Sequence, residues 1–505
     1  MKMKYYIGVD IGTTSTKAVL YDQNANVINK FQQGYRLYRN QDGMAEQDPE
    51  EIVQAVLQMI HDAAGLTHED GNQLTSVSFS CANQSLILLD QDHQPISRVM
   101  TWADTRARRQ AEALKQSSKA KIIYEKTGTP IHPMSPLIKL MWLQETKPDL
   151  IKQAAFYADI KSYLFWRLFG QFRIDISIAS CTGLMNLTTQ NWDSDILEML
   201  EVSVDQLPEI VDSIDQAVGL SPAMADLMGV DAEVPFVYGA FDGALSNLGV
   251  GAIQQDTVAI TIGTSAAVRV ICDHPVIDPH QRLFCYSVNR HLWVIGGPIN
   301  NGGDVFQWAV EELVEDQIQA KYDVANQLID QGPAGAHGLL FHPFLGGERA
   351  PIWEANARGS FVGLNPLHTR ADMLRAVMEG ICFNIATVFD AVQAMVGKPK
   401  RITATGGFAN SKVWRQMLAD VLDCPVNVPK SFESGCLGAV VMAMQSLGEL
   451  SNLADVTSMV GEVEAYLPDE AVADLYQRYL LVFKQVEKQL LPTYAALVEL
   501  QEDQK

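Results

Sequence analysis

Two short segments of the chain combine the residue types that bind phosphate groups. Asp10–Lys17 has the sequence Asp-Ile-Gly-Thr-Thr-Ser-Thr-Lys, and Gly263–Ser265 repeats its Gly-Thr pair with a serine in the second half of the chain. Glycine lets the backbone approach a ligand closely, and the amides and hydroxyls that follow can donate hydrogen bonds to phosphate oxygens. Lys17 adds a positive charge, and Asp10 suits a magnesium ion that carries a phosphate. A plain hairpin turn uses the same residues, so either segment alone leaves both interpretations open.

One carboxylate is the candidate for acid–base chemistry. Asp242 lies within an apolar segment of small residues near the middle of the chain, where a merely solvated charge is not expected. It could accept the proton of a substrate hydroxyl as that hydroxyl attacks a γ-phosphate. The structural alternative is a helix N-cap, because Asp followed by Gly-Ala-Leu also suits capping.

A polar and aromatic group in the first half suggests a carbohydrate site. Asn83 and Gln84 follow an apolar run, and Trp102, Asp104 and Arg106 come next along the chain. A polyol presents alternating C–H and O–H groups, so its site needs amides, a carboxylate and an aromatic face. Core packing of Trp102 and a local salt bridge between Asp104 and Arg106 are the structural alternatives.

Several familiar binding motifs are missing from the sequence. It contains neither GxxxxGK[ST] nor GxGxxG, and its ten histidines form no convincing metal set. Gly406-Gly407 lies between a predicted strand and a predicted helix. This pair could let an adenine or ribose lie against the backbone, or it could be an ordinary turn.

The composition excludes several classes of protein. The chain has 505 residues, of which 47% are hydrophobic and 19% are charged, as in a packed globular protein. Its net charge of −22 argues against non-specific binding to nucleic acid or to an anionic membrane. The seven cysteines are scattered and never form CxxC, so we expect free thiols in a reducing cytoplasm. We expect neither a signal peptide nor a membrane span.

The order of predicted elements indicates an α/β fold with a mainly parallel sheet. Residues 6–22 and 257–273 both resemble a β-hairpin with a small-residue turn, which suggests a duplicated domain facing itself across a cleft. Asp48-Pro49 is typical of a helix start, with Gly65 at the end of that helix. Thr369 and Asp372 form a capping-box pattern before a helix that should stop at Gly397. A strand at 401–405 and a helix at 411–422 continue the alternation.

Taken together, these segments resemble the FGGY family of carbohydrate kinases over nearly the whole chain. The segments that carry the resemblance are 10–17, 102–106, 134–145, 241–243, 262–265, 346–364, 406–408 and 433–439. The resemblance implies two ribonuclease H-like domains, as in actin, which we expect at residues 1–243 and 244–505. It also implies ATP and Mg²⁺ as cofactors.

The family pattern assigns roles to residues of this sequence by position. Asp242 matches the general base, and Asp10 and Asp242 are the expected metal-side acids. The matches to nucleotide-side positions are Gly12, Thr13, Thr14, Ser15, Lys17, Gly263, Thr264, Gly303, Gln307, Gly406 and Gly407. The matches to substrate-side positions are Asn83, Gln84, Trp102 and Asp242.

Within the family, the chain is most similar to the bacterial members that phosphorylate gluconate. The similar segments include 45–52, 127–136, 175–187, 284–288 and 294–305. The implied reaction is ATP-dependent phosphorylation of D-gluconate to 6-phospho-D-gluconate. Lys139, Arg349 and Arg106 are the candidate partners of the substrate carboxylate. A homodimer is left open.

Two alternatives remain at this stage. The first is a family member acting on another polyol or ketose such as xylulose, since Asn83-Gln84 and Phe241 depart from the expected substrate-side pattern. The second is a non-catalytic actin-like protein that switches with its nucleotide. The carbohydrate-type residues at 83–84 and 102–106 speak against the second alternative.

Overall fold

The computed structural model describes residues 3–67, 72–315, 318–429, 433–461 and 463–502. The chain divides into two compact α/β units. Unit 1 contains residues 1–253, 271–294 and 433–460, and unit 2 contains residues 254–270, 295–432 and 461–505. The predicted boundary between residues 243 and 244 stays a prediction.

Unit 1 contains the larger share of the elements. Its strands are Met3–Ile11, Ser15–Asp22, Val27–Gly34, Tyr38–Arg39, Ala45–Gln47, Asn72–Cys81, Ile87–Leu89, Val99–Met100, Phe156–Ala158, Arg173–Asp175, Met185–Asn186, Asn191–Trp192, Glu209–Val211, Gln216–Ala217, Phe236–Phe241 and Phe284–Ser287. Its α-helices are Pro49–Gly65, Arg108–Lys115, Lys119–Thr127, Pro136–Thr146, Pro148–Gln153, Ile160–Phe169, Ile176–Ser180, Ser194–Met199, Pro222–Met228, Asp242–Gly249 and Ser434–Ser446.

Unit 2 is likewise built from strands and α-helices. Its strands are Thr257–Ile262, Leu340–Pro343, Gly359–Val362, Arg401–Thr405, Val426–Pro429 and Val463–Tyr466. Strands Ala266–Cys272 and Trp293–Ile299 straddle the division between the units. Its α-helices are Gly303–Leu313, Lys321–Gln331, Arg370–Val396, Lys412–Leu422 and Glu470–Glu502.

The main sheet of unit 1 brings three parallel strands to one edge. Phe236–Phe241, Asn72–Cys81 and Met3–Ile11 are neighbours, and Asp10 and Ala240 both pair with Ser80. The carboxyl ends of parallel strands therefore lie level with one another. Side chains that follow these strands are brought together at this edge.

Both faces of this sheet are covered by helices. Tyr6 and Val19 pack with Val440 of helix Ser434–Ser446, whereas Ile7 and Val9 belong to the cluster that contains residues of helix Pro49–Gly65. Successive side chains of a strand point to opposite faces, so a strand buried on both sides has an almost continuous apolar sequence. This explains the apolar character of residues 5–11.

The sheet of unit 2 is built around the second predicted hairpin. Strand Thr257–Ile262 pairs antiparallel with Ala266–Cys272 and parallel with Arg401–Thr405, which pairs in turn with Val426–Pro429. Both predicted hairpins are therefore confirmed, since Met3–Ile11 pairs antiparallel with Ser15–Asp22.

The predicted helix boundaries are confirmed by their caps. The Asp48 side chain accepts hydrogen bonds from the amides of Glu50 and Glu51. Thr369 and Asp372 form a capping box at the start of Arg370–Val396. Ser411 caps helix Lys412–Leu422 by accepting from the amide of Trp414.

Helix Arg370–Val396 is long and apolar enough, by length and composition alone, to cross a membrane. However, 89% of its most apolar stretch is buried inside the protein. The helix is therefore accounted for as a core helix, whose apolar surface is covered by other parts of the same chain.

Candidate active site

Two acidic residues lie at the edge where the parallel strands of unit 1 end. Asp10 is the penultimate residue of Met3–Ile11, and Asp242 directly follows Phe236–Phe241. Asp10 Oδ1 accepts a hydrogen bond of 2.6 Å from Ser80 Oγ on the strand between them. Burial raises the pKa of Asp10 to about 6, and the charge of Asp242 adds to this rise, whereas Ser80 and Lys17 oppose it. The structure thus brings together two carboxylates that are far apart in sequence.

Asp242 is the first residue of helix Asp242–Gly249, and the preceding Phe241 holds the N-cap position. The neighbours of Asp242, Phe241 and Gly243, are buried, whereas Asp242 itself is exposed. The chain turns into the helix at this residue, and the carboxylate accepts a 2.7 Å hydrogen bond from the amide of Gly243.

The first Gly-Thr turn is closed by a hydrogen bond from the amide of Gly12 to the carbonyl oxygen of Ser15, at 3.0 Å. The Thr13 hydroxyl accepts a 2.9 Å hydrogen bond from Trp102 Nε1, and the Ser15 hydroxyl accepts one from Gln32 Nε2. Thr14 is exposed, and Lys17 Nζ lies 3.8 Å from the carboxylate of Glu433. The turn is therefore held in place by its own neighbours.

The predicted substrate-side residues lie next to this turn. Asn83 and Trp102 line a small cavity together with Gly12 and Thr13. Asn83 Nδ2 donates to Cys181 Sγ at 3.2 Å. Gln84 is buried, has a positive φ of 63°, and donates from Nε2 to the hydroxyl of Tyr286 at 3.1 Å.

Two of the three candidate partners of a substrate carboxylate, Arg106 and Lys139, are already engaged within the protein. Arg106 forms ion pairs with Asp104 and Glu46, which confirms the local salt bridge as the structural alternative. Lys139 is fully buried and donates to the backbone oxygens of Gln84 and Met100. Burial lowers the pKa of Lys139 to about 7. Lys139 thus supports the backbone next to the cavity, whereas Arg106 is held by two carboxylates.

The second Gly-Thr turn, in unit 2, lies against the start of a helix. The amide of Gly303 donates to the carbonyl oxygen of Gly263 at 2.7 Å, and the amide of Asp304 donates to that of Thr264 at 3.2 Å. A Cβ at Gly302 would lie 2.7 Å from the carbonyl carbon of Ser265. Only glycine fits there, so Gly263, Thr264 and Gly303 form one compact group.

Gly406 belongs to the same group. It has a φ of 109°, and a Cβ at this position would lie 2.2 Å from the carbonyl oxygen of Ile262. Gly407 has open space around it. Gln307, one turn into helix Gly303–Leu313, is exposed and donates from Nε2 to Glu311.

Glu348 also supports this turn, although no sequence motif assigned it to the site. Its buried carboxylate accepts hydrogen bonds from the amide of Asn300 and from the side-chain amides of Asn301 and Asn384. Burial raises the pKa of Glu348, and these donors oppose the rise. An acid in the Gly- and Pro-rich stretch 330–360 was the available signal.

The comparisons with known proteins agree with this arrangement. The N-terminal domain model of the FGGY family of carbohydrate kinases matches residues 5–249, and the C-terminal domain model matches residues 258–447. The chain belongs to the FGGY family of carbohydrate kinases. FGGY kinases have the actin-like ATPase fold, so the predicted pair of ribonuclease H-like domains is confirmed.

Relatives within the FGGY family cover nearly the whole chain. The gluconokinase of Bacillus subtilis is 42% identical over 98% of each chain. A xylulose kinase of Staphylococcus epidermidis is 28% identical over 97% of each chain. Two solved structures from Lactobacillus acidophilus, described as a gluconate kinase and a ligand-bound xylulose kinase, each have 38% identity and a TM-score of 0.94. Both comparisons cover 98% of this chain and 100% of the other.

FGGY kinases use ATP, usually with Mg²⁺. The donor set of unit 1 fits such an ion, because Asp10 and Asp242 supply the carboxylate oxygens that Mg²⁺ prefers and Asp242 is exposed.

Proposed function

We propose that this protein is a gluconokinase that transfers the γ-phosphate of ATP to D-gluconate and forms 6-phospho-D-gluconate. The 42% identity to the Bacillus subtilis gluconokinase exceeds the 28% identity to the Staphylococcus epidermidis xylulose kinase, which supports the choice of substrate. The observation that carries the chemistry is the pair Asp10 and Asp242 at the ends of two parallel strands that flank strand Asn72–Cys81.

In this proposal Asp242 accepts the proton of the terminal hydroxyl of gluconate as the oxygen attacks the γ-phosphorus. The O–H bond breaks, the new O–P bond forms, and ADP leaves with the electrons of the broken P–O bond. The exposed carboxylate is available to a substrate, and the helix start fixes its backbone.

Asp10 and Asp242 would hold Mg²⁺, mostly through water, and the ion would neutralise charge on the phosphates when bound. We assign phosphate contacts in unit 1 to Gly12, Thr13, Thr14, Ser15 and Lys17. Preformed amide and hydroxyl donors stabilise charge without reorganising during the reaction.

In unit 2 we assign nucleotide contacts to Gly263, Thr264, Gly303, Gln307, Gly406 and Gly407. Asn83, Gln84 and Trp102 would contact the sugar acid. The hydrogen bonds that already hold Trp102 and Gln84 would orient these groups before substrate binds. We place the enzyme in the cytoplasm. Gel filtration would test whether the enzyme forms a homodimer.

A coupled assay of ADP release over gluconate, xylulose, glycerol and ribulose tests the proposal. We expect kcat/KM for gluconate to exceed that for every other compound by at least about 100-fold, the discrimination that polar contacts in a site can supply. Xylulose is the second candidate substrate, because the chain is also similar to the ligand-bound xylulose kinase structure. A preference for xylulose in this assay would overturn the assignment of gluconate. ATP turnover that ignores all four compounds would favour the nucleotide-switch alternative.

A further inference from the structure

A strand bulge lies immediately before Asp242. In the pairing of Phe236–Phe241 with Asn72–Cys81, Val237 pairs with Ser78 and Ala240 with Ser80. Tyr238 and Gly239 therefore lie opposite a single residue, Phe79. Such a bulge bends a strand and re-aims the residues that follow it.

The bulge requires a glycine, because its backbone has a positive φ and lies close to the neighbouring strand. Gly239 has a φ of 66°, and a Cβ there would lie 1.8 Å from the carbonyl oxygen of Phe79. The amides of Tyr238 and Gly239 donate to the carbonyl oxygens of Asp215 and Ser213. The carbonyl oxygen of Tyr238 lies outside the regular ladder and needs another donor, because a buried unpaired carbonyl is costly.

A buried ion pair supplies that donor. Lys161 Nζ donates to the carbonyl oxygen of Tyr238 at 3.0 Å and lies 2.6 Å from Asp175 Oδ2. Lys161 is 1% exposed and Asp175 is 0% exposed. An isolated buried ammonium would be very unfavourable, so Asp175 makes this donor possible.

Asp175 also connects the pair to the backbone next to Asp242. Its Oδ1 accepts from the amide of Ile178 and caps the short helix Ile176–Ser180. Within that helix, the buried Ser177 hydroxyl accepts a 3.1 Å hydrogen bond from the amide of Phe241. The residue that precedes Asp242 is therefore held by a helix that Asp175 caps.

We infer that Lys161, Asp175 and Ser177 are positioning residues that fix the bulge from which Asp242 emerges, and so fix the placement of the proton acceptor. This inference rests on the proposed function. The three residues act through the backbone, and none of them is assigned to the substrate. A displacement of about 1 Å at a reacting group can cost about 100-fold in rate.

The test compares Lys161→Met, Asp175→Asn and the double variant with the wild type. Each single variant should be less thermally stable than the double variant, because it leaves one buried charge unpaired. The double variant should regain much of this stability but keep a kcat at least about 10-fold below wild type, with KM for ATP changed less than about 3-fold. A purely structural pair would instead restore kcat together with stability.

The chain offers a matched control. Lys126 pairs with Asp193 at 3.1 Å, and Asp193 caps helix Ser194–Met199 as Asp175 caps its own helix. Lys126→Met/Asp193→Asn should lower thermal stability and leave kcat within about 2-fold of wild type, as expected for a change remote from the reacting groups.

Ser177→Ala covers the case in which the charge variants fail to fold. It removes one hydrogen-bond acceptor and should lower kcat about 3- to 10-fold at unchanged KM for ATP. A folded double variant, or Ser177→Ala, with wild-type kcat would overturn the inference.

A crystal structure of the double variant, or of Ser177→Ala, gives a readout that does not depend on activity. We expect the Asp242 Cα to move relative to strand Asn72–Cys81, and an unmoved Asp242 would overturn the inference. If the wild type phosphorylates no polyol, the proposed function fails, while this structural comparison still decides the positioning role.

Discussion

In unit 1, strand Met3–Ile11 forms a hairpin with Ser15–Asp22 and runs parallel to Asn72–Cys81. In unit 2, Thr257–Ile262 forms the corresponding hairpin and runs parallel to Arg401–Thr405. The residue two positions before the turn glycine is Asp10 in unit 1 and Thr261 in unit 2. The same strand arrangement therefore carries a carboxylate in unit 1 and a hydroxyl at the corresponding position in unit 2.

The difference suits two separate roles in phosphate transfer, namely acid–base and Mg²⁺ chemistry in unit 1 and phosphate binding in unit 2. Carboxylates accept protons and bind Mg²⁺, but they repel phosphate groups, so a phosphate is held better by amides and hydroxyls. The edge of unit 1 has Asp10 and Asp242. The turn group of unit 2 relies on glycine and backbone contacts at Gly263, Gly303 and Gly406. Changes in unit 1 should thus affect kcat most, and changes in unit 2 should affect stability and ATP binding.

The largest effect should come from the carboxylate of unit 1. Asp242→Asn should lower kcat by about 100-fold or more, because the amide cannot accept the proton of the substrate hydroxyl. Thermal stability and ATP binding should stay close to wild type, as measured by calorimetry and by equilibrium titration. Asp149→Asn, a change of another exposed acid in the first turn of a helix, is the control. Near-normal turnover by Asp242→Asn would remove Asp242 from its proposed role.

The second effect concerns the glycine group of unit 2. Gly406→Ala should lower the free energy of unfolding by about 2 kcal/mol or more and raise the KM for ATP, because the added Cβ meets the Ile262 carbonyl and the positive φ is strained. Gly407→Ala, in open space, should change stability by less than about 0.5 kcal/mol. Equal stability of the two variants in urea titrations would contradict this account.

The third effect is a dependence on pH that should be specific to unit 1. Since burial raises the pKa of Asp10 to about 6, the activity should rise as pH increases through about 6 and Asp10 becomes ionised. Asp10→Asn should lower kcat about 10-fold at pH 8, as the loss of an acid that holds Mg²⁺ through water would do. Ser80→Ala should move the acid limb to higher pH, because the Ser80 hydrogen bond lowers the pKa of Asp10. An acid limb that Ser80→Ala leaves in place would speak against Asp10 as the titrating group.

The same carboxyl predicts an effect on stability. A raised pKa means that the stabilising contribution of Asp10 is fully present below its ordinary value of 3.8 and is lost as pH rises through about 6. Asp10→Asn should therefore have a higher Tm than wild type at pH 8 without Mg²⁺, and the difference should shrink at pH 4. A lower Tm for the variant at pH 8 would contradict the burial cost.

The smallest effect should come from Lys17, the cation that follows the first Gly-Thr turn. Lys17→Met should raise the KM for ATP about two- to five-fold with little change in kcat, because a half-exposed ammonium is screened by water. Lys30→Met is a matched control, since Lys30 also pairs with Glu433. If both variants changed the KM equally, the effect would belong to Glu433 and not to a contact with phosphate.

Local features of the fold were predictable from sequence because they depend on near neighbours. The hairpin at 6–22, the cap at Asp48 and the capping box at Thr369 each involve residues close together along the chain. Short-range hydrogen bonds and turn chemistry determine these features, so their residue types are visible in a single sequence.

The members of the candidate site were chosen from the sequence and stay predictions, whereas their geometry could not be predicted from it. Asp10 and Asp242 meet because their strands flank Asn72–Cys81, and strand order is decided by long-range packing. The exposure of Asp242 depends on where its helix begins, which the apolar sequence around it does not reveal. The bulge at Tyr238 and Gly239 was not predicted either, because a lone glycine in a strand is compatible with many conformations.

All seven cysteines are buried and free of disulfide bonds. The scattered positions of the cysteines in the sequence predicted free thiols. Burial raises the pKa of each thiol, so the folded protein holds them as unreactive neutral groups. A chromogenic disulfide reagent would then modify the chain only as fast as the chain opens. The enzyme thus carries its own set of reporters of opening, spread over both units, and its storage should not require a reductant.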